Sequence, residues 1–192
     1  MRPARLSERR LPTPLGPMVA AAAMGEDGSA ALCLLEFADR RALPRERRDL
    51  ERHFGGPLEP ASAPGPAADL LDEAGRQLDA YFAGELRAFT LSLDLPGTPF
   101  QRRVWHALLD IPYGETTSYG GLAERLGTPG AARAVGMANG ANRVAIVVPC
   151  HRVVESTGAL RGYGGGLERK RFLLDLERAR HPAGTLWNPA PA

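Results

Sequence analysis

Cysteine is almost missing from this chain: Cys33 and Cys150 are the only two in 192 residues. Two cysteines are too few for a disulfide framework and point to a reduced, cytoplasmic setting. They also argue against a structural zinc site. Cys33, His53 and His106 offer no close-spaced ligand pair, so no metal is expected. Lysine is scarcer still, with Lys170 alone among the basic residues that are not arginine. No apolar run approaches the ~20 residues needed to span a bilayer, which excludes a membrane helix. Met1 to Arg10 is basic but leads into a Pro-broken stretch rather than an apolar one, so no signal peptide is expected. No internal repeat is present.

What is present is an ordinary globular composition. Hydrophobic residues make up 44% of the chain, enough for a core, and the length fits one large domain or two small ones. The net charge of +2 is unevenly spread. Residues 1–90 hold twelve arginines against fourteen carboxylates, net −2, and residues 91–192 carry net +4. The positive excess in the second half hints at an anionic partner such as nucleic acid, or simply at a solvated surface.

The first half reads as a scaffold. Residues 1–13 read as a tail. Val19 to Ala23 and Ala30 to Phe37 are apolar runs around Glu26-Asp27-Gly28, a β-hairpin pattern. Pro44 to His53 is a charged helix candidate, and Gly55 to Pro66 is loop-like. Ala67 to Phe82 carries Leu70, Leu71, Ala74, Leu78 and Tyr81 at helical spacing. Phe89, Leu91 and Leu93 alternate with polar residues, which suggests a strand.

The second half opens on Thr98-Pro99-Phe100-Gln101, a capping box with Pro at the first helical position. Phe100, Val104, Leu108 and Ile111 mark the apolar face that follows. Thr117 to Leu126 and Pro129 to Gly140 are two short helices joined across Gly127, a helix-turn-helix candidate. Val144 to Val148 reads as a buried strand that delivers Cys150. Leu167 to Arg180 is a last amphipathic helix, and residues 181–192 read as a second tail.

The chemistry concentrates at Pro149-Cys150-His151-Arg152-Val153. The thiolate is the reactive form of cysteine, and cationic neighbours lower its pKa. Glu177 falls on the apolar side of the last helix, where a carboxylate is costly unless it is paired. A bare Cys-His dipeptide means little. The ordered series Ile111-Pro112-Tyr113-Gly114-Glu115-Thr116, Arg133-Ala134-Val135-Gly136, Asn142, Pro149 to Val153, Gly162-Tyr163-Gly164-Gly165-Gly166 and Glu177 means a great deal. From Gly97 to Glu177 the chain resembles the O6-alkylguanine-DNA alkyltransferases, with a weaker echo at Thr13-Pro14-Leu15-Gly16-Pro17.

That resemblance implies an α/β (α+β) protein. A small ribonuclease H-like α/β scaffold would cover residues 14–94. A mostly helical, winged-helix-like domain with the helix-turn-helix and the cysteine would cover 95–180. It implies direct, single-turnover DNA repair: the alkyl group of O6-alkylguanine, and of O4-alkylthymine, moves irreversibly to Cys150. His151 would activate Cys150 through a water, with Glu177 orienting His151 and Asn142 holding the hinge. Arg143 stands where the family usually has Pro. Tyr119 would press on the target phosphate, and Tyr119 or Tyr163 would assist the leaving guanine. Arg133 would fill the stack left by the flipped base, with Ala132 and Gly136 against the minor groove and Ser156 contacting DNA at the wall of the guanine pocket. Val153, Tyr163 and Gly164 would wall the guanine pocket, Gly164 replacing a hydroxyl residue found in some members. The implied partner is double-stranded DNA carrying the lesion, bound by a monomer without any cofactor.

Three other readings stand beside this one. An alkyltransferase-like lesion binder would lack the cysteine. A transcriptional regulator would need a second DNA-contacting or sensing module. A Cys-His thiol hydrolase would turn over on acyl substrates and have no use for the Arg133 helix.

Overall fold

The computed structural model describes residues 5–179. The chain divides at Pro96/Gly97 into two compact units. In the first, β1 (Leu6–Leu11), β2 (Met18–Met24), β3 (Ala30–Phe37) and β4 (Leu58–Pro60) form one sheet in the order β3-β2-β1-β4. The β1-β2 and β2-β3 pairs are antiparallel, and β4 joins β1 in parallel. The hairpin expected at 19–37 is therefore present. Helices α1 (Leu43–Phe54) and α2 (Pro66–Ala83) each carry Pro in the first turn and end on a left-handed Gly, Gly55 and Gly84.

The sheet lies between these helices. Leu6, Ala21, Ala23 and Cys33 pack with Leu43 and Leu50 of α1. Leu11, an odd number of residues from Leu6, faces the other way. There a β-carbon on Gly75 of α2 would lie 3.5 Å from it. Leu71, Ala74, Leu78 and Tyr81 bury the inner face of α2.

Three expectations in this unit need correction. Leu6–Leu11 is not part of a tail but an inner strand. Its charged middle hid it: Glu8 pairs with Arg47, and Arg9 with Asp72. The 55–66 loop contains the short strand β4. Residues 89–93 make only one bridge, Leu93 to Leu32. The Gln77 side chain takes up Thr90 instead, accepting from its backbone N–H at 2.9 Å and donating to its hydroxyl at 2.8 Å.

The second unit is built on helices. In α3 (Pro99–Leu109) the capping box forms as expected: Gln101 N–H donates to Thr98 Oγ1, and Thr98 N–H to Gln101 Oε1. The helix-turn-helix is α4 (Tyr119–Arg125) and α5 (Ala132–Gly140). Trp105 of α3 donates its indole N–H to Ala138 of α5 at 2.8 Å, which fixes the two helices together. Leu167–Ala179 forms α6. The expected end at Arg180 and the 181–192 tail lie outside the described residues.

Residues 144–148 are buried but do not form the expected strand. They make a compact turn, closed by Val148 N–H to Val144 O at 2.9 Å, with Ile146 at φ 71°. A β-branched residue in the left-handed region costs about 1–3 kcal/mol and persists only where its surroundings enforce it. Here the enforcing group is Asn142. Its side chain accepts from Val144 N–H at 3.0 Å and donates to Val148 O at 2.9 Å.

Candidate active site

The turn hands the chain directly to the cysteine. Cys150–Arg152 is a single 3-10 turn, and Val153–Val154 (β6) then pairs in parallel with Thr117–Ser118 (β5). Ser118 caps α4 by accepting from Gly121 N–H at 2.9 Å. This short ribbon sets the cysteine turn beside the start of the helix-turn-helix. From α5, the Asn139 amide donates to the Cys150 carbonyl at 3.3 Å.

Cys150 is 6% exposed, and His151 and Glu177 are fully buried. His151 Nε2 lies 2.9 Å from Glu177 Oε1. A carboxylate can only accept, so Nε2 carries the proton. Nδ1, with no hydrogen-bond partner in the protein, keeps its lone pair. Burial pushes the His151 pKa below its ordinary value, against the pull of Glu177, and the ring stays neutral.

Glu177 is engaged on both oxygens. Arg152 grips it bidentately, Nε to Oε2 and Nη2 to Oε1, each at 2.9 Å. Gly114 N–H adds a bond to Oε2 at 3.1 Å, and Arg152 Nη1 reaches the Ile111 carbonyl at 2.6 Å. Burial opposes its charge, but His151 and Arg152 overcome that and hold the carboxyl well below the usual range. One carboxylate thus joins α6, the cysteine turn and the 111–114 loop.

Arg152 is a site residue whose role the motif does not reveal, a grip on Glu177, 25 residues away. Lys170 is another. It is fully buried on α6 and donates to the carbonyls of Val153 at 2.6 Å and Arg161 at 2.8 Å. Burial lowers its pKa to about 8, while Cys150 acts to raise it. By reciprocity the cation favours a Cys150 thiolate. The only signal in the sequence was its being the sole lysine.

Tyr119 connects this cluster to open space. Its hydroxyl donates to Arg161 O at 3.1 Å, and its pKa is raised by burial first and then by Cys150 and Glu155. It lies in the lining of a groove of about 740 Å³ together with Ala132, Arg133, Gly136 and Ser156. Five residues singled out from sequence therefore share one groove, between α5 and the 155–162 loop. Val153 is fully buried, and Tyr163 closes a turn with Gly166 at 3.0 Å, with exposed Gly164 inside that turn. Among the described residues no group of three His, Cys, Asp or Glu could hold a metal ion.

An α/β unit linked to a helix-turn-helix unit with one buried Cys-His-Glu cluster defines a cysteine-dependent protein with a groove beside its second helix. Its relatives are specific. Residues 99–179 match the family model of the 6-O-methylguanine DNA methyltransferase DNA-binding domain, and residues 30–95 that of its ribonuclease-like domain. A methylated-DNA–protein-cysteine methyltransferase of Salmonella typhimurium is 45% identical over 175 residues, 90% of this chain and 96% of the relative. That of Mycobacterium tuberculosis is 62% identical over 120 residues, 62% of this chain and 70% of the relative. The crystal structure of the M. tuberculosis O6-methylguanine methyltransferase superposes with a TM-score of 0.73 at 46% identity, covering 93% of this chain and 96% of that one. A structure of the M. tuberculosis protein in complex with DNA gives 0.73 at 47%, covering 92% and 96%. The chain belongs to the 6-O-methylguanine DNA methyltransferase family.

Proposed function

We propose that this chain repairs DNA directly, moving the alkyl group of O6-alkylguanine to Cys150 in a single turnover. The carrying observation is the buried Cys150-His151-Glu177 cluster, coupled through Tyr119 to the groove beside α5. An ordinary thiol has a pKa of about 8.5, so only a few per cent is thiolate at neutral pH. Three features raise that share. The Nδ1 lone pair of neutral His151 takes the thiol proton through a water. Glu177 fixes the ring and steadies the imidazolium that forms. The Lys170 cation favours the anion.

The thiolate then attacks the alkyl carbon in line. The S–C bond forms as the C–O6 bond breaks, and the electron pair leaves on guanine O6. Tyr119 or Tyr163 stabilises that leaving anion and supplies a proton. Because a stacked base cannot reach a thiol that is 6% exposed, the nucleotide is flipped out of the duplex. Arg133 on the open face of α5 fills its place, Tyr119 presses on the phosphate, and Ala132, Gly136 and Ser156 line the approach. Val153, Tyr163 and Gly164 wall the guanine pocket, and O4-alkylthymine is a second substrate. No cofactor takes part. The chain acts as a monomer in the cytoplasm; no helix among the described residues is long and apolar enough to cross a membrane.

The test is intact-mass analysis after incubation with duplex O6-methylguanine DNA. One methyl group on the Cys150 peptide is expected, and none with Cys150→Ala. An unmodified parent protein would overturn the assignment.

A further inference from the structure

Helix α5 exposes Arg133, Ala134, Met137 and Gly140, a face of small residues with two exceptions. Arg133 is one. The other is Met137, which is 72% exposed, whereas the other exposed large hydrophobics among the described residues, Leu109, Leu167 and Phe172, are 40–46%. Met137 sits one helical turn from Arg133, so the two side chains share a face about 5–6 Å apart. Both line the groove that holds Tyr119 and Ser156. Nothing in the helix requires a long apolar side chain there. The α3 contact runs through the Ala138 carbonyl, and Val135 and Ala138 are both buried on the opposite side.

We infer that Met137 is a positioning residue for duplex substrate, an apolar wedge that enters the minor groove beside Arg133. This rests on the repair reading above. A single arginine offers a charged plane to the gap left by the flipped base. It offers nothing that water cannot compete for at the next step along the duplex. An unbranched thioether can slide between or against neighbouring base steps and sugars, displacing water without needing a hydrogen-bond partner. The 5–6 Å offset along the helix corresponds to between one and two base-pair steps of about 3.4 Å, so Arg133 and Met137 would grip adjacent levels of one duplex. The contact reads no base edge and is indifferent to sequence. The positive charge of Arg133 on the same face favours a polyanion over an apolar protein partner.

The experiment compares the parent protein, Met137→Ala and Met137→Leu on duplex O6-methylguanine DNA and on free O6-methylguanine nucleoside. DNA bending is read in parallel by energy transfer between duplex ends. In Met137→Ala the ratio of duplex to nucleoside transfer rates is expected to fall about tenfold, with a smaller bend, and Met137→Leu to restore both. Equal ratios for parent and Met137→Ala, or an equal bend, overturn the wedge while leaving the repair reading intact. A loss in Met137→Ala that lowers both rates by one factor overturns it too, as that marks a helix-packing role. If the parent itself transfers nothing from the duplex, the repair reading fails first.

Discussion

Glu177 shows how much one side chain settles. Four hydrogen bonds converge on its two oxygens from His151, Arg152 and Gly114. Glu177→Gln keeps the shape but removes the charge, leaving the buried Arg152 guanidinium without its counter-ion. Breaking such a pair from one side costs about 3–5 kcal/mol, which a denaturant titration will read. At temperatures where the variant is folded, transfer should slow by about 10²–10⁴-fold as His151 loses its orienting partner, with DNA affinity little changed. A parent-like rate would dismiss the relay. The same cluster sets a pH dependence. Burial depresses the His151 pKa below its ordinary 6.5, so the unfolded chain binds a proton that the folded chain refuses. The stability from neutral His151 is full above about pH 6.5 and is lost as pH falls towards the folded value. Glu177, held below its ordinary 4.5, adds stability above that pH that is lost as pH falls further. Denaturant midpoints should therefore fall in two stages, the first as pH drops below about 6.5 and the second as it drops below about 4.5, and in His151→Gln the first stage should shrink.

At the scale of elements, the helices were legible because their period is local: a capping box, a Pro and a 3.6-residue apolar stripe suffice. The misread segments are those whose structure depends on distant or side-chain partners. Strand β1 has apolar residues only at its ends, Leu6 and Leu11, so alternation could not reveal it. Residues 144–148 have the composition of a strand, but Asn142 satisfies their backbone and bends them into a turn. Of the site, the residues carried by contiguous motifs could be named from the chain alone. The roles of Arg152 and Lys170 could not, because they lie in partners on other elements, and Glu177, as remote from His151, was reached through the family resemblance and its place on the apolar side of the last helix. Asn142→Ala tests this turn directly. It orphans the Val144 N–H in the interior and leaves the Val148 carbonyl with the Cys150 N–H alone, which should cost about 1–3 kcal/mol and slow alkylation of Cys150 by displacing its turn. Retained stability with a parent rate would mean the apolar packing alone holds the turn. Helix α5 carries the complementary test. Arg133→Ala leaves the cysteine cluster untouched, so duplex transfer should drop strongly, single-stranded DNA less, and the free O6-benzylguanine base least. A uniform loss on all three would assign Arg133 to the fold instead.

At the scale of the whole molecule, the uneven charge and the pair of cysteines decide how the protein behaves in bulk. The +4 of residues 91–192 lies in the half that carries the groove, so binding to undamaged duplex should weaken steeply with added salt. The two cysteines differ in kind. Cys33 is sealed in the sheet core of the first unit, its thiol donating to the Ala21 carbonyl at 3.4 Å. Fully buried, it offers no surface to a DNA base. Cys150 is also buried, but beside a neutral imidazole and a lysine cation whose pKa is about 8. Alkylation turns it into a thioether, whose C–S bond offers neither a good leaving group nor a carbonyl for water to attack. The cluster has a base that can activate a thiol but nothing that can expel a thiolate from an alkyl carbon. Transfer should thus stop at one alkyl group per chain, in a single burst whose amplitude equals the protein concentration. Fresh lesion DNA added afterwards should give no second burst, and peptide mapping should place the methyl group on Cys150. Continued turnover would reveal a hydrolytic path that these residues do not provide, and a methyl group on Cys33 would mean that the His151-Glu177 pair is not the source of reactivity.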